Sequence, residues 1–205
     1  HRGRLVHCRA VGVRDVKNGE PVTFDTVFRI ASMTKNVTAL AILKLRDANK
    51  VVLDAPAAKW VPELAKTQYP SADSRDIRVR DLLAHSAGFV TDDPWGDRQL
   101  DMPDRGFIQL VGAGIPFARM PGLAHEYSNY GYALLGSIVG AASGVRYQDY
   151  VRREIFDPLG MKSSGFSVSA VNPAHRALGY RYEDAGWREE PVLEDGAFTS
   201  MGGLH

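Results

Sequence analysis

The segment from residue 28 to residue 45 constrains this chain more than any other stretch. It begins as a short extended piece that ends in small residues, and from Ser32 onward it predicts a helix. Residues 37–45 are apolar on most faces of that helix, and such a pattern is typical of a buried helix. Because Ser32 and Lys35 stand three positions apart at its first turn, they share one side of it. We therefore expect the lysine amine to reach the serine hydroxyl.

This pair has the chemistry of an activated nucleophile. A hydroxyl attacks poorly unless a base stands beside it, and burial favours the neutral, basic form of a lysine amine. The N–H groups at the start of a helix suit a developing oxyanion. A structural interpretation stays open, since serine is a common N-cap and Ser-x-x-Lys occurs by chance about once in a chain of this length. An unpaired lysine would be costly in a buried helix, and this cost favours the functional interpretation.

The composition is that of an ordinary globular protein. The 205 residues are 44% hydrophobic with a net charge of +1, which permits a sizeable core. No basic block points to nucleic acid or to a membrane surface, and no apolar run is long enough to cross a bilayer. The lone Cys8 excludes an intramolecular disulfide, and its strand-like surroundings predict a buried or half-buried side chain. Because the chain starts at His1 rather than Met, the earlier removal of a leader stays open.

Strand signals lie at the two ends of the chain, and helix signals lie between them. The predicted extended segments are residues 4–13, 22–30, 177–182 and 190–193. The predicted helices beyond the first are residues 79–85, ended by Gly88, and residues 104–111, 130–142 and 147–156. The sequence therefore predicts an α/β fold, in which residues 1–46 and 176–205 form parts of a sheet domain and residues 47–175 form a mainly helical region.

Four short motifs narrow this prediction. They are Ser32-Met-Thr-Lys35, Asp81-Leu-Leu-Ala-His85-Ser-Ala-Gly88, Tyr127-Ser-Asn129 and Pro158-Leu-Gly-Met161. In type, order and spacing they resemble the motifs of the serine β-lactamase and penicillin-binding protein superfamily. The branch most similar is that of class C β-lactamases, D-Ala-D-Ala carboxypeptidases and family VIII esterases. One such motif would be weak evidence, whereas four in register are strong.

The resemblance implies a fold and a role for each matched residue. The fold would be β-lactamase/transpeptidase-like, with an antiparallel sheet flanked by helices and an inserted helical region. Ser32 would be the acylated nucleophile, Lys35 the partner that keeps it activated, and Tyr127 the general base or proton relay. Asn129 would hold the acyl-amide group of a small-molecule or peptide substrate. Neither a metal nor an organic cofactor is expected, and the sequence contains no His-x-x-x-His, HExxH or cysteine cluster.

Several of these residues also have a structural interpretation. Tyr127 is acceptable as a core aromatic residue, and Asn129 as the N-cap of the helix that follows it. His85 is expected to be structural, and His125 to face solvent. Trp95, an aromatic residue in a long polar loop, is a candidate for the substrate entrance.

One expected motif is absent. The superfamily carries Lys-Thr-Gly or a His/Trp-x-Gly variant on a later strand, and the 205 residues contain no Lys-Thr-Gly. We therefore expect an incomplete sheet, exposed edges and an excerpt of a longer chain. The choice among β-lactam, D-amino-acid peptide and ester stays open, as does the oligomeric state, while the resemblance favours a periplasmic or secreted location over a cytoplasmic one. The alternative function is a binding or structural relative without turnover, and the joint presence of the four matched residues argues against it.

Overall fold

The computed structural model of the chain describes residues 1–91 and 95–205. For Trp95 and Asp97 it describes the backbone but not the side chain. The α-helices of these residues are α1 Thr34–Asp47, α2 Val79–Leu83, α3 Trp95–Arg98, α4 Asp104–Ala113, α5 Asn129–Ser143, α6 Tyr147–Val151, α7 Asp157–Leu159 and α8 Thr199–Gly202. The β-strands are β1 Val13–Asp15, β2 Glu20–Pro21, β3 Tyr180–Glu183 and β4 Gly186–Glu189. Short 3₁₀ turns connect these elements, and a π-helical turn, Arg152–Phe156, joins α6 to α7.

Helix α5 is the centre of the hydrophobic core. Its apolar side chains cover every face, and Leu134, Leu135 and Ile138 are fully buried. A helix that is apolar all round needs partners on all sides, and α1, α2, α6 and α8 supply them. Gly136 permits the closest of these approaches, since a Cβ atom there would collide with the side chain of Ser200 in α8. The predicted helix at residues 130–142 is thus confirmed as the core of the fold.

The strands form two small antiparallel sheets rather than one. β1 pairs with β2, and β3 pairs with β4 in a regular register from Tyr180 opposite Glu189 to Glu183 opposite Gly186. Backbone hydrogen bonds connect the two terminal segments, since Leu178 N donates to Arg14 O at 2.9 Å and Ala177 N donates to Val27 O at 3.0 Å. The two ends of the chain therefore meet, while the division into a sheet domain and a helical region stays a prediction.

The predicted strand at residues 4–13 is wrong. Of these residues only Val13 belongs to a strand, and Leu5 and Val6 are largely exposed. Gly12 adopts a left-handed φ of 88° immediately before β1, which interrupts an extended backbone. Residues 4–12 include β-branched and apolar residues, but no strand among the described residues pairs with them. The prediction that Cys8 is buried or half-buried fails for the same reason, because Cys8 is exposed.

Helix α2 ends two residues earlier than the sequence predicts. It stops at Leu83, and His85 adopts a left-handed backbone with φ of 54°. Gly88 therefore does not terminate this helix. Its left-handed backbone instead lies against the carbonyl of Arg119, where a Cβ atom would collide with that oxygen. The glycine is needed for the close approach of two loops.

An ion pair below α2 fixes where this helix begins. The buried carboxylate of Asp81 accepts two hydrogen bonds from Arg75, at 2.6 and 2.8 Å, and a third from the N–H of Arg78 at 2.8 Å. A bidentate contact between a guanidinium and a carboxylate is geometrically specific, so it fixes the position of α2 and of the loop that follows.

We expect Asp81→Asn to lower the free energy of unfolding by about 2–4 kcal/mol, because it leaves the Arg75 guanidinium with one strong acceptor fewer. Urea unfolding followed by circular dichroism measures this loss. The matched control is Asp54→Asn, which disrupts a bidentate pair of similar geometry with Arg80 that is exposed to solvent. Equal losses in the two variants would show that the buried pair has no special weight.

Candidate active site

A strained corner presents Ser32 at the surface. The 3₁₀ turn Ala31–Met33 leads into α1, and Ala31 has a left-handed φ of 47° that a residue with a Cβ rarely adopts. Hydrogen bonds hold the corner from both sides: Ile30 N donates to Leu204 O at 2.9 Å, and the Thr34 hydroxyl donates to Ala31 O at 2.7 Å. Backbone strain of this kind persists only where the surroundings fix it. The serine hydroxyl is thereby exposed beside the first turn of α1.

Lys35 lies below Ser32, and only 7% of its surface is exposed. Its Nζ atom donates to Ser32 Oγ at 2.9 Å, to Asn129 Oδ1 at 2.7 Å and to the carbonyl of Met201 at 2.8 Å. A protonated amine has three hydrogens to donate, so these three acceptors favour the charged amine rather than the neutral form expected from burial alone. The predicted contact between the amine and the serine hydroxyl is confirmed.

Tyr127 approaches the same hydroxyl from the other side. Its phenol oxygen lies 2.7 Å from Ser32 Oγ, and the Lys35 amine lies 4.9 Å from the centre of its ring. The phenol is half-buried at the end of the segment that leads into α5. The predicted proximity of hydroxyl, amine and phenol is thus also confirmed.

Asn129 begins α5 and is fully buried. Its Oδ1 atom accepts the hydrogen bond from Lys35. The prediction that Asn129 is the N-cap of this helix is wrong, because the cap is Ser128, whose hydroxyl accepts from Gly131 N at 3.0 Å. The short Ser128 side chain takes the capping position, and the longer Asn129 amide is directed to the lysine.

Two parts of the site were not predicted. The Met201 carbonyl is a backbone atom, so no residue type indicates it in advance. Beneath it, the Thr38 hydroxyl donates to Ser200 O at 2.6 Å and lies 2.7 Å from the Tyr147 hydroxyl, while Ser200 Oγ donates to Tyr132 O at 2.9 Å. These buried bonds fix α8 against α1 and α5, and they hold the Met201 carbonyl in front of Lys35. The sequence signal for these bonds is the spacing of Thr34, Lys35 and Thr38, which places three polar side chains on one face of a largely apolar helix.

The other buried tyrosines near the site are poor candidates for a base. Burial raises the pKa of the phenols of Tyr130, Tyr132 and Tyr147 above the ordinary value, which keeps them neutral. Each is buried in the core. The phenol that contacts Ser32 Oγ is that of Tyr127.

The remaining predicted residues lie around this centre. His125 is exposed, as predicted, and its ring meets the edge of the His85 ring. The side chain of Trp95 lies outside the described residues, so its role at a substrate entrance stays a prediction. Among residues 1–91 and 95–205, no group of three or more His, Cys, Asp and Glu side chains is placed to hold a metal ion. Within the same ranges, none of the helices has the length and apolar character that crossing a membrane requires.

Comparison with known proteins agrees with this geometry. The profile of the Beta-lactamase family matches residues 1–205. Esterase EstB of Burkholderia gladioli is 33% identical over 193 residues, covering 87% of this chain and 47% of EstB. Protein Rv1367c of Mycobacterium tuberculosis is 31% identical over 206 residues, covering 89% of this chain and 50% of that protein. The chain thus spans about half the length of the curated relatives it matches.

Solved structures show the same relationship. The octameric penicillin-binding protein homologue from Pyrococcus abyssi superimposes with a TM-score of 0.81 at 30% identity, over 98% of this chain and 47% of that chain. A class C β-lactamase superimposes with a TM-score of 0.76 at 26% identity, over 95% of this chain and 50% of its own. The predicted β-lactamase/transpeptidase-like fold is confirmed by these neighbours. On sequence and on structure, the chain belongs to the Beta-lactamase family of serine hydrolase folds.

Proposed function

We propose that this protein is a serine hydrolase that works through an acyl-enzyme on Ser32. One observation carries the proposal: Ser32 Oγ is within hydrogen-bond distance of both the Lys35 amine and the Tyr127 phenol. A hydroxyl is activated as a nucleophile when a base contacts it and a third group orients that base. Ser32 is exposed while Lys35 and Asn129 are buried and Tyr127 is half-buried, so a substrate has access to the proposed nucleophile.

The proposed acylation step uses the phenol as the proton carrier. Lys35 donates three hydrogen bonds, and its positive charge stabilises Tyr127 as phenolate. Tyr127 takes the proton of Ser32 as Oγ forms a bond to the substrate carbonyl carbon. The positive potential at the N-terminus of α1 is proposed to stabilise the developing oxyanion. When the bond to the leaving group breaks, Tyr127 returns the proton to the leaving nitrogen or oxygen, and an ester on Ser32 remains.

Deacylation repeats these transfers with water. A water molecule gives a proton to Tyr127 and attacks the ester carbonyl, and Ser32 Oγ leaves and regains the proton. The acid product then carries the acyl group. Asn129 holds Lys35 through Oδ1. In the proposed mechanism the Asn129 amide also holds the acyl-amide group of a substrate, as the motif resemblance implies.

The substrate is proposed as a class, namely an amide, β-lactam or ester carbonyl. The names of similar proteins support this range, since they include an esterase, a penicillin-binding protein homologue and a class C β-lactamase. Nitrocefin, a D-alanyl-D-alanine peptide and a p-nitrophenyl ester form a panel that separates the three chemistries. The specificity constant kcat/KM on each ranks them.

We expect Ser32→Ala to abolish covalent labelling, because no other group in the site forms the acyl ester. Intact-mass measurement after treatment with a fluorophosphonate or a penicillin detects the adduct. Ser163→Ala, which changes an exposed serine outside the site, is the matched control and should label like the wild type. An adduct that persists in Ser32→Ala would refute the assignment. No adduct on folded wild-type protein would favour the non-catalytic binding alternative.

The lysine variant tests activation rather than binding. We expect Lys35→Met to slow acylation by about 10²–10⁴-fold, the usual contribution of positioned proton-transfer groups, while probe binding weakens much less. Lys44→Met removes a partly exposed lysine from the same helix and should leave the rate within about twofold of the wild type. Stopped-flow labelling at several probe concentrations separates the acylation rate constant from the dissociation constant of the probe. If the rate in Lys35→Met were unchanged, the amine would have no part in the mechanism.

Removing one oxygen tests the proton carrier. Tyr127→Phe keeps the ring but lacks the atom that lies 2.7 Å from Ser32 Oγ, so we expect acylation to fall by at least about 10²-fold. The matched control, Tyr182→Phe, alters an exposed phenol in β3. Acylation rates of both variants are measured with the same probe. Equal rates in Tyr127→Phe and wild type would transfer the base role to Lys35.

A further inference from the structure

His85 contacts three consecutive residues of the segment that carries the reactive phenol. Its backbone carbonyl accepts from Glu126 N at 2.7 Å, and its Nδ1 atom accepts from Ser128 N at 3.1 Å. Between these two bonds, its ring stacks on the Tyr127 ring with centroids 4.6 Å apart and an interplanar angle of 30°. One residue thus holds the chain before, at and after the phenol.

The histidine is itself held in place. The ion pair of Asp81 with Arg75 fixes α2, which ends two residues before His85. The backbone of His85 is left-handed, and His is among the residues that tolerate this conformation. The Tyr132 hydroxyl donates to Leu83 O at 3.1 Å, so a hydrogen bond connects α5 directly to the last residue of α2.

We propose that His85 is a positioning residue that holds the Tyr127 phenol at Ser32, and that it does so with Nδ1 unprotonated. This inference rests on the proposed function of Tyr127. A backbone N–H needs a lone pair as its acceptor, so the bond from Ser128 N places the proton of neutral His85 on Nε2. Protonation of Nδ1 would bring two N–H groups face to face and would release the segment at Ser128.

The charges around the ring add to this effect. The Lys35 amine lies 4.9 Å from the centre of the Tyr127 ring and 5.6 Å from that of Tyr132. The His85 ring stacks on the Tyr127 ring and makes a tilted contact with the Tyr132 ring, at a centroid distance of 4.9 Å. His125 meets the His85 ring at a centroid distance of 5.5 Å. The neighbouring carboxylate of Glu126 pairs with Arg119. A positive charge on His85 would therefore be added beside two rings that already contact an ammonium, and beside a second imidazole.

Asparagine and leucine substitutions separate the loss of the hydrogen-bond acceptor from the loss of side-chain volume. Asn and Leu side chains are nearly equal in shape, but in His85→Asn the Oδ1 atom replaces Nδ1 as the acceptor, whereas His85→Leu has no acceptor. His125→Asn is the matched control, because it makes the same chemical change at the adjacent exposed imidazole. Should His85→Leu fail to fold, His85→Gly removes the acceptor without backbone strain. Thermal unfolding followed by circular dichroism confirms that each variant is folded.

Acylation by a fluorophosphonate, measured from about pH 8 to about pH 5, is the main readout, since histidines ordinarily titrate in this range. We expect His85→Leu to slow acylation by about 10–100-fold with little change in probe binding, as a displaced catalytic group does. His85→Asn should stay within about fivefold of the wild type at the upper end of the range. The rate ratio of His85→Asn to wild type should rise as the pH falls, because asparagine cannot be protonated there. His125→Asn should follow the wild type throughout.

Equal rates in His85→Leu and wild type would overturn the positioning role, and a rate ratio independent of pH would overturn the requirement for unprotonated Nδ1. A second measurement separates these failures from failure of the proposed function. In protein labelled with ¹³Cζ-tyrosine, the Tyr127 resonance, assigned with Tyr127→Phe, should shift in His85→Leu and not in His125→Asn. If wild-type protein takes no label, the proposed function fails, and an unchanged Tyr127 resonance in His85→Leu would overturn the positioning role as well.

Discussion

The buried amine of Lys35 is the constraint on which the rest of the structure depends. Moving an ammonium group out of water costs several kcal/mol, so it is tolerated only where acceptors surround it. Ser32, Asn129 and the Met201 carbonyl supply three acceptors from segments far apart in the chain. Satisfying one cation therefore draws together the corner before α1, the start of α5 and helix α8. The active-site geometry is a consequence of that requirement.

The support for this arrangement is polar and directional. Thr34, Lys35 and Thr38 lie on one face of α1, and each reaches an oxygen outside its own helix or a backbone group of the 199–204 segment. Apolar packing alone would let α8 slide along α1, whereas hydrogen bonds fix its position along the helix. The large apolar surface of α5 supplies the stabilising burial, and the polar face of α1 determines where the candidate site lies.

Local spacing predicted the first half of the site. The contact of Ser32 with Lys35 follows from helix geometry, because residues three apart share a face. The approach of Tyr127 does not follow from any local rule, and only the motif resemblance predicted it. The Met201 carbonyl left no signal, since backbone atoms are common to all residue types. The strand predicted at residues 4–13 failed because apolar, β-branched composition forms a strand only where a neighbouring strand supplies the hydrogen bonds.

The central claim concerns three atoms at one point, and a crystal structure of the protein after reaction with a fluorophosphonate tests it most directly. The account predicts a phosphonyl group bonded to Ser32 Oγ, with the Lys35 amine and the Tyr127 phenol oxygen each still within about 3 Å of that oxygen. A phosphonyl group on any other residue, or a Tyr127 oxygen turned away from a modified Ser32 with protein atoms between them, would contradict it.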